Sequence, residues 1–396
     1  MTLLSPPALL SFSVNLQPRI GTDLFRSKFI THKSQTRRRE VAKKTLLGFL
    51  VGIVVASLTV ILATTPGSAA AKKVYRVEAR TTTFGGSSYI LGFAFCDLLN
   101  KHSSWVRGSV LESTGTPENI KLVGQDPKKR ARTFFTCTAE LFEMARKGEP
   151  PFQKDAKAYK NLMIMANQQE LIGTLITLNP KIKTLADLKG KRVATWPRGT
   201  MKFDATYKLI AGAGKDVVDA VKWQYTAYAG YNDMILGKTD AAFTFCPETA
   251  PGVFTTVPKL KELMSKRKVY FITATPAMRR LSEKLYGTMY GLTSAMPAGI
   301  LGDGVPNQKV LGINMVLGWG VYPEMPAEVV YEILKVMDQY GDQVKTYHAS
   351  GKGWVRARYG AYPVPKEDFH PGARKYFEEK GIPYGDQYFF KLYPID

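Results

Sequence analysis

One pattern recurs along this chain and limits its fold more than any other. A short apolar or alternating run ends in Gly with Ser or Thr, and helical periodicity then begins. Residues 74–79 alternate as a half-buried strand does and run into Thr81, Thr82, Thr83, Phe84, Gly85, Gly86, Ser87 and Ser88. From residue 89 to 102, apolar side chains at 91, 94, 95, 98 and 99 form one helical face, with Ser87 or Ser88 the expected N-cap. Residues 109–112 predict a second strand, followed by Ser113, Thr114, Gly115 and Thr116; Thr116 is the expected cap and Pro117 the first helical residue. A third strand is expected at 132–135 and a helix at 139–147. After apolar runs at 161–166 and 172–178 the pattern restarts: a short helix at 185–189, a strand at 192–196, the turn Pro197, Arg198, Gly199, Thr200, and a helix over 201–213. Strands are expected at 221–225, 241–245 (ending at Cys246, Pro247, Glu248, Thr249) and 312–318, with helices at 231–236, 327–340 and 371–380. Such units predict an α/β fold built on parallel sheet. The restart without a linker predicts two lobes, 72–172 with 312–396 as the first and 173–311 as the second, the chain crossing over and returning.

Only residues 46–63 approach the length of a membrane span, which excludes a polytopic membrane protein. They follow Lys43 and Lys44 and precede a Pro-Gly-Ser-Ala-Ala-Ala end, so residues 1–71 are expected to be an export leader cut after Ala70 or Ala71. A permanent membrane anchor is the alternative. Arg38-Arg39-Glu40-Val41-Ala42-Lys43 resembles a twin-arginine export signal, with Arg37 where Ser or Thr is usual; a generic basic leader explains it equally. No cysteine stands at the cleavage site, so a lipid anchor is not expected. The three cysteines, Cys96, Cys137 and Cys246, cannot make a disulfide framework and none has C-x-x-C spacing.

The chain carries 55 Lys+Arg against 33 Asp+Glu. The one tight basic cluster is Lys128-Lys129-Arg130-Ala131-Arg132, and no nucleic-acid-binding motif accompanies it. Solvated basic faces, with long-range steering of an anionic ligand, account for the excess, and no nucleic-acid partner is expected.

Three loops can carry chemistry: 85–88, 113–116 and 198–200. Free N–H groups at a helix start make each a candidate cradle for a carboxylate or phosphate, although any strand-to-helix turn uses the same residues. In open α/β sheets ligands sit beyond the carboxyl ends of the strands, where all three fall. Walker and G-x-G-x-x-G spacings are absent, and no pattern calls for a cofactor or metal ion. Catalysis has less support. His102, His348 and His370 are isolated, and no G-x-S-x-G elbow occurs. Cys137 and Cys246 follow predicted strands, as cleft nucleophiles or as buried small apolar groups. Trp223, Tyr225, Tyr228 and Tyr231 are candidates for a pocket wall or for packing.

The segment Leu185-Ala186-Asp187-Leu188-Lys189-Gly190-Lys191-Arg192-Val193 resembles one common to type II periplasmic binding proteins. Ser113-Thr114-Gly115 with Glu118-Asn119, then Gly237-Lys238-Thr239-Asp240-Ala241-Ala242-Phe243, Pro297-Ala298-Gly299 and the motif from His370-Pro371-Gly372 to Lys380-Gly381 resemble, in order and spacing, the TAXI family of TRAP-transporter solute receptors. The resemblance covers 72–396. It implies a two-lobed Venus-flytrap receptor, exported to the periplasm, that closes on a small organic acid (a carboxylate or amino-acid-like solute) and delivers it to the membrane subunits of a TRAP transporter. By the same analogy Gly85, Gly86, Ser87, Ser88, Tyr89, Ser113, Thr114, Gly115, Thr116, Thr136, Cys137, Thr138, Arg198, Gly199, Thr200, Cys246, Pro247 and Thr249 line the cleft. This chain departs from the family at Arg198-Gly199-Thr200-Met201 and Phe135-Thr136-Cys137-Thr138, so ligand identity does not carry over; Arg198 is a candidate carboxylate clamp. An enzyme on the same fold using a cleft cysteine, or a periplasmic sensor or scaffold subunit, are the competing readings.

Overall fold

The computed structural model describes residues 72–393 apart from 85, 251 and 287–294. The expected leader, its apolar segment 46–63 and the arginine pair lie outside the described residues. Among those described, no helix is long and apolar enough to cross a membrane.

Three strands open the chain: β1 (Tyr75–Arg80), β2 (Val106–Leu111) and β3 (Thr133–Thr138). β1 pairs in parallel with both others, and the helices Ser87–His102 and Thr116–Gly124 make the crossovers. A second parallel set joins β5 (Arg192–Ala194) to β6 (Lys222–Gln224) and to β7 (Ala241–Ala250), with the helix Met201–Ala211 after β5. Between these sets run two long strands, β4 (Met163–Thr177) and β12 (Ile313–Val321), antiparallel to each other; β12 is also antiparallel to β3, and β4 to β7. The sheet order is β2-β1-β3-β12-β4-β7-β5-β6, with β8 (Val253–Phe254) on β7 and β9 (Tyr270–Ile272) on β4, while β10 (Ala295–Met296) and β11 (Val310–Leu311) pair antiparallel as a separate ribbon.

The fold is therefore α/β and two-lobed, but its sheet is mixed, not parallel throughout. The reason lies in β4. The two apolar runs expected at 161–166 and 172–178 are parts of one strand, interrupted in sequence by Asn167, Gln168, Gln169 and Glu170, all of which are buried. A strand that carries the chain from one set to the other needs a returning partner, and β12 supplies it. The apolar cores change over at the same place. Ala166 packs into a cluster drawn from residues 77–166 and 316–389, whereas Leu171 belongs to a cluster drawn from 171–317. Trp319, fully buried, anchors the first cluster edge-on to Phe95 and Phe134, with ring centres 5.5 and 5.2 Å away.

Two helix starts also differ from expectation. Gly86 and Gly115 take the cap positions, so Ser87 and Thr116 fall inside the first turn and make no cap hydrogen bond there. The Ser87 hydroxyl instead accepts from Gln169 Nε2 at 3.1 Å.

Candidate ligand cleft

A cleft of about 1480 Å³ opens where the carboxyl ends of the two parallel strand sets face each other. It is larger than the roughly 300–1,000 Å³ usual for a small-molecule site. Gly86, Ser87 and Ser88, then Thr114, Gly115 and Thr116, line it from the first set, with Thr136 and Thr138 of β3. Arg198, Gly199, Thr200 and Lys202 line it from the second, with Trp196, Tyr228, Phe245 and Pro247; Leu171 of β4 and Leu317 of β12 lie at its base. All three loops singled out in the sequence thus meet in one place, although Gly85 is outside the described residues. Gly115 (φ +125°) and Gly199 (φ +81°) hold backbone conformations that residues with a Cβ rarely adopt, which is why glycine occupies both turns.

The first side of the cleft is braced by two buried glutamines of β4. Ser88 Oγ donates to Gln168 Oε1 at 3.0 Å, and Gln168 Nε2 donates to Thr136 Oγ1 at 3.0 Å. Gln169 Nε2 lies 3.1 Å from both Ser87 Oγ and Ser88 Oγ. Glu118 fixes the second loop by accepting from Thr114 N and Oγ1, each at 2.7 Å, and these bonds hold its carboxyl below the ordinary carboxylate range.

The second side is dominated by a residue the sequence reading did not single out. Lys202 lies in the first turn of the helix Met201–Ala211, where Thr200 caps by accepting from Phe203 N at 3.2 Å. Its ammonium is ringed by aromatics, 4.5 Å from the Trp196 ring centre, 5.0 Å from Phe245 and 5.9 Å from Tyr228. Burial pushes its pKa down to about 8. Cation–π contacts stabilise the charge, and no described carboxylate lies within ion-pair distance of it. A lysine in the first turn of a helix that follows Trp196 was the available local signal, and it resembles packing too closely to be read from sequence.

The remaining candidates divide between the cleft, its rim and the cores. Arg198 is exposed at the rim; its Nε donates to Tyr225 Oη at 2.7 Å and its guanidinium sits over Phe203, 5.4 Å from the ring centre. The expected clamp therefore stands at the cleft's rim with its guanidinium taken up by Tyr225 and Phe203, because a flat guanidinium stacks readily on aromatic faces. Cys137 and Cys246 do not line the cleft. Side chains alternate along a strand, so Thr136 and Thr138 face the cleft while Cys137 enters the first core, and Phe245 and Pro247 face it while Cys246 enters the second. Burial raises both thiols, Cys246 to about 12, which leaves neither as a thiolate nucleophile. Thr249, expected beside them, is turned away at a bulge in the β7–β8 pairing and donates to Val253 O at 3.2 Å. Ser113 is buried as a brace, donating to Thr81 O at 2.7 Å, and Tyr89 packs edge-on to Phe84. Of the four aromatic candidates only Tyr228 lines the cleft; Tyr231 is buried and donates to Thr244 Oγ1 at 2.8 Å, while Trp223 and Tyr225 pack on Phe203. His348 lines the cleft, His102 stacks on Tyr340, and His370 is buried.

The NMT1-like family model matches residues 80–381 of the chain. The chain belongs to the NMT1-like family. Among solved structures, this NMT1-like chain is similar to a TctC solute binding protein from Polaromonas, at 14% identity over 72% of this chain and 89% of that one, TM-score 0.40. It is similar to MatC from Rhodopseudomonas palustris with bound malate, at 13% identity over 80% and 98%, TM-score 0.46. A TRAP periplasmic solute binding protein from Sulfitobacter sp. NAS-14.1 with bound β-D-galacturonate matches at 11% identity over 81% and 92%, TM-score 0.35. Comparison with curated proteins returned no match.

The sequence motifs that carried the resemblance turn out to hold up the scaffold of this NMT1-like chain. Asp187 completes a capping box with Thr184, and Asp240 accepts from Arg192 N, Nε and Nη2 at 2.8–3.0 Å, tying the start of β5 to the start of β7. Asn119 Nδ2 donates to Thr81 O at 2.8 Å, holding the end of β1. His370 caps the helix Pro371–Lys380 through Nδ1, which accepts from Gly372 N at 3.2 Å; burial lowers its pKa to about 4.

Proposed function

We propose that this chain is an extracytoplasmic solute receptor that binds a small organic acid in the cleft and passes it to a membrane transporter. One observation carries the reading: a desolvated ammonium, Lys202, faces the cleft without a carboxylate partner among the described residues. Removing a cation from water is costly unless an anion or a polar cage compensates it. A ligand carboxylate at this site would complete the pair, with free N–H groups at the helix start adding partial positive charge. Residues 72–172 with 312–396 would form one lobe and 173–311 the other, closing about the long strands β4 and β12. Ser87, Ser88, Thr114, Thr116, Thr136 and Thr138 would meet the ligand from the first lobe. Placement in the TAXI group, TRAP-type membrane subunits as partners and a periplasmic location after removal of residues 1–71 belong to the same proposal and rest on the motifs. The enzyme reading loses its nucleophile, since both cleft-side cysteines point into apolar cores.

Titration calorimetry on the full chain with succinate and with succinamide tests this. The acid is expected to bind and the amide to bind at least thirtyfold more weakly. Lys202→Met is expected to cost the acid about 2–5 kcal/mol, as loss of one partner of a desolvated charge pair does. Equal affinity for acid and amide would overturn the anion-receptor reading.

A further inference from the structure

The wall that runs away from Lys202 has a chemistry of its own. Along β7 the cleft-facing residues are Phe245 and then Pro247, two positions and about 7 Å further on. Thr255 N donates to Pro247 O at 2.9 Å, and Phe254 pairs with Glu248, so β8 continues the surface sideways by another strand spacing of about 5 Å. Val257 and Met264 extend it onto the helix Pro258–Lys266, and Leu171 and Leu317 floor it. From the caged ammonium, then, an apolar strip on the order of 10 Å long lies open to the same cleft. The hydroxyls opposite, Ser87, Ser88 and Thr136, are held in place by Gln168 and Gln169 at the carboxylate end of the cleft, not along this strip.

We infer that the cleft takes an acid with an extended apolar chain, its carboxylate on Lys202 and its tail along Pro247, Phe254, Val257 and Met264, in place of a compact polyhydroxy acid. The inference rests on the receptor reading and adds the ligand class. A tail transferred from water onto apolar walls contributes in proportion to its length, whereas a polyhydroxy acid would lose water at each hydroxyl laid against Pro247, Phe254, Val257 or Met264, with Thr255, Thr256 and Ser265 the polar groups that flank them.

The test is a calorimetric series on the full chain with butanoate, hexanoate, octanoate, suberate and gluconate. Affinity is expected to rise about fourfold per methylene from butanoate to octanoate, the equivalent of about 0.8 kcal/mol per buried CH₂, with gluconate weaker than hexanoate. Met264→Gln is expected to lower octanoate affinity more than butanoate affinity. A flat series while succinate still binds would overturn the apolar-tail inference and leave the receptor reading intact. Suberate tighter than octanoate would overturn it in favour of a two-headed acid. Failure of every carboxylate, succinate included, would overturn both.

Discussion

The Lys208 ammonium stands 2.6 Å from the Glu140 carboxylate, joining the helix that follows β5 to the helix that follows β3. Both side chains are largely buried, 13% and 15% exposed, so the pair is less screened than an ion pair at the surface. It also links elements on the two sides of the sheet change-over. Lys208→Met is expected to lower stability by about 1–3 kcal/mol, with Lys208→Arg recovering much of it. Urea unfolding of the three proteins measures this. A Met variant as stable as the parent would show the pair to be energetically neutral.

Glu170 and Glu248 face each other directly on β4 and β7. Glu170 is ion-paired with the buried Arg358 and accepts from Tyr393 Oη at 3.0 Å and Asn167 Nδ2 at 2.5 Å. Among the described residues Gly252 N donates to Glu248 at 2.6 Å, and burial raises its pKa from 4.5 to about 7. The folded protein therefore holds this proton more tightly than the unfolded chain. Its contribution to stability is fully present below pH 4.5 and is lost as pH rises through about 7. Glu248→Gln is expected to flatten the fall in urea midpoint across that interval; an unchanged slope in the variant would assign the pH dependence to other groups.

How much of this was legible beforehand depends on what each residue is made to do. The strand-to-helix loops could be read because cap chemistry and glycine turns are local, and 86–88, 114–116 and 198–200 do meet in the cleft. The parallel sheet was read too widely, since the polar stretch 167–170 looks like a break and is instead the buried middle of β4. Cys137 and Cys246 lay one position away from cleft-facing neighbours, and a strand's alternation puts such a neighbour on the opposite face. Lys202 was missed because its character comes from Trp196, Tyr228 and Phe245, which are distant in sequence from one another.

Gly318 of β12 offers a check on the packing of the first core. A Cβ there would lie 2.6 Å from Tyr362 Cε2, and Tyr362 is fully buried with its hydroxyl donating to Cys137 O at 3.2 Å. The ring has no room to withdraw, so Gly318→Ala is expected to cost about 1–3 kcal/mol through overpacking. Thermal unfolding reads this as a lowered midpoint. No change would mean that β12 and the Tyr362 ring can separate freely.

The pH dependence of ligand binding separates Lys202 from Arg198 as the anchor. An acid needs Lys202 protonated, and with a pKa of about 8 the ammonium is nearly complete at neutral pH. One pH unit above that value about a tenth remains, so apparent affinity for the acid is expected to fall about tenfold between neutral pH and pH 9. Burial lowers the pKa of His348 and raises that of Tyr228 to about 12, so burial moves both away from this interval. Lys202→Arg keeps its charge throughout and is expected to abolish the fall. Arg198→Ala is expected to change affinity by less than about threefold, since that side chain is exposed and its Nε is bonded to Tyr225. Titrations at a series of pH values on all three proteins decide the matter. A fall that persists in Lys202→Arg, or a large loss in Arg198→Ala, would move the anchor away from Lys202.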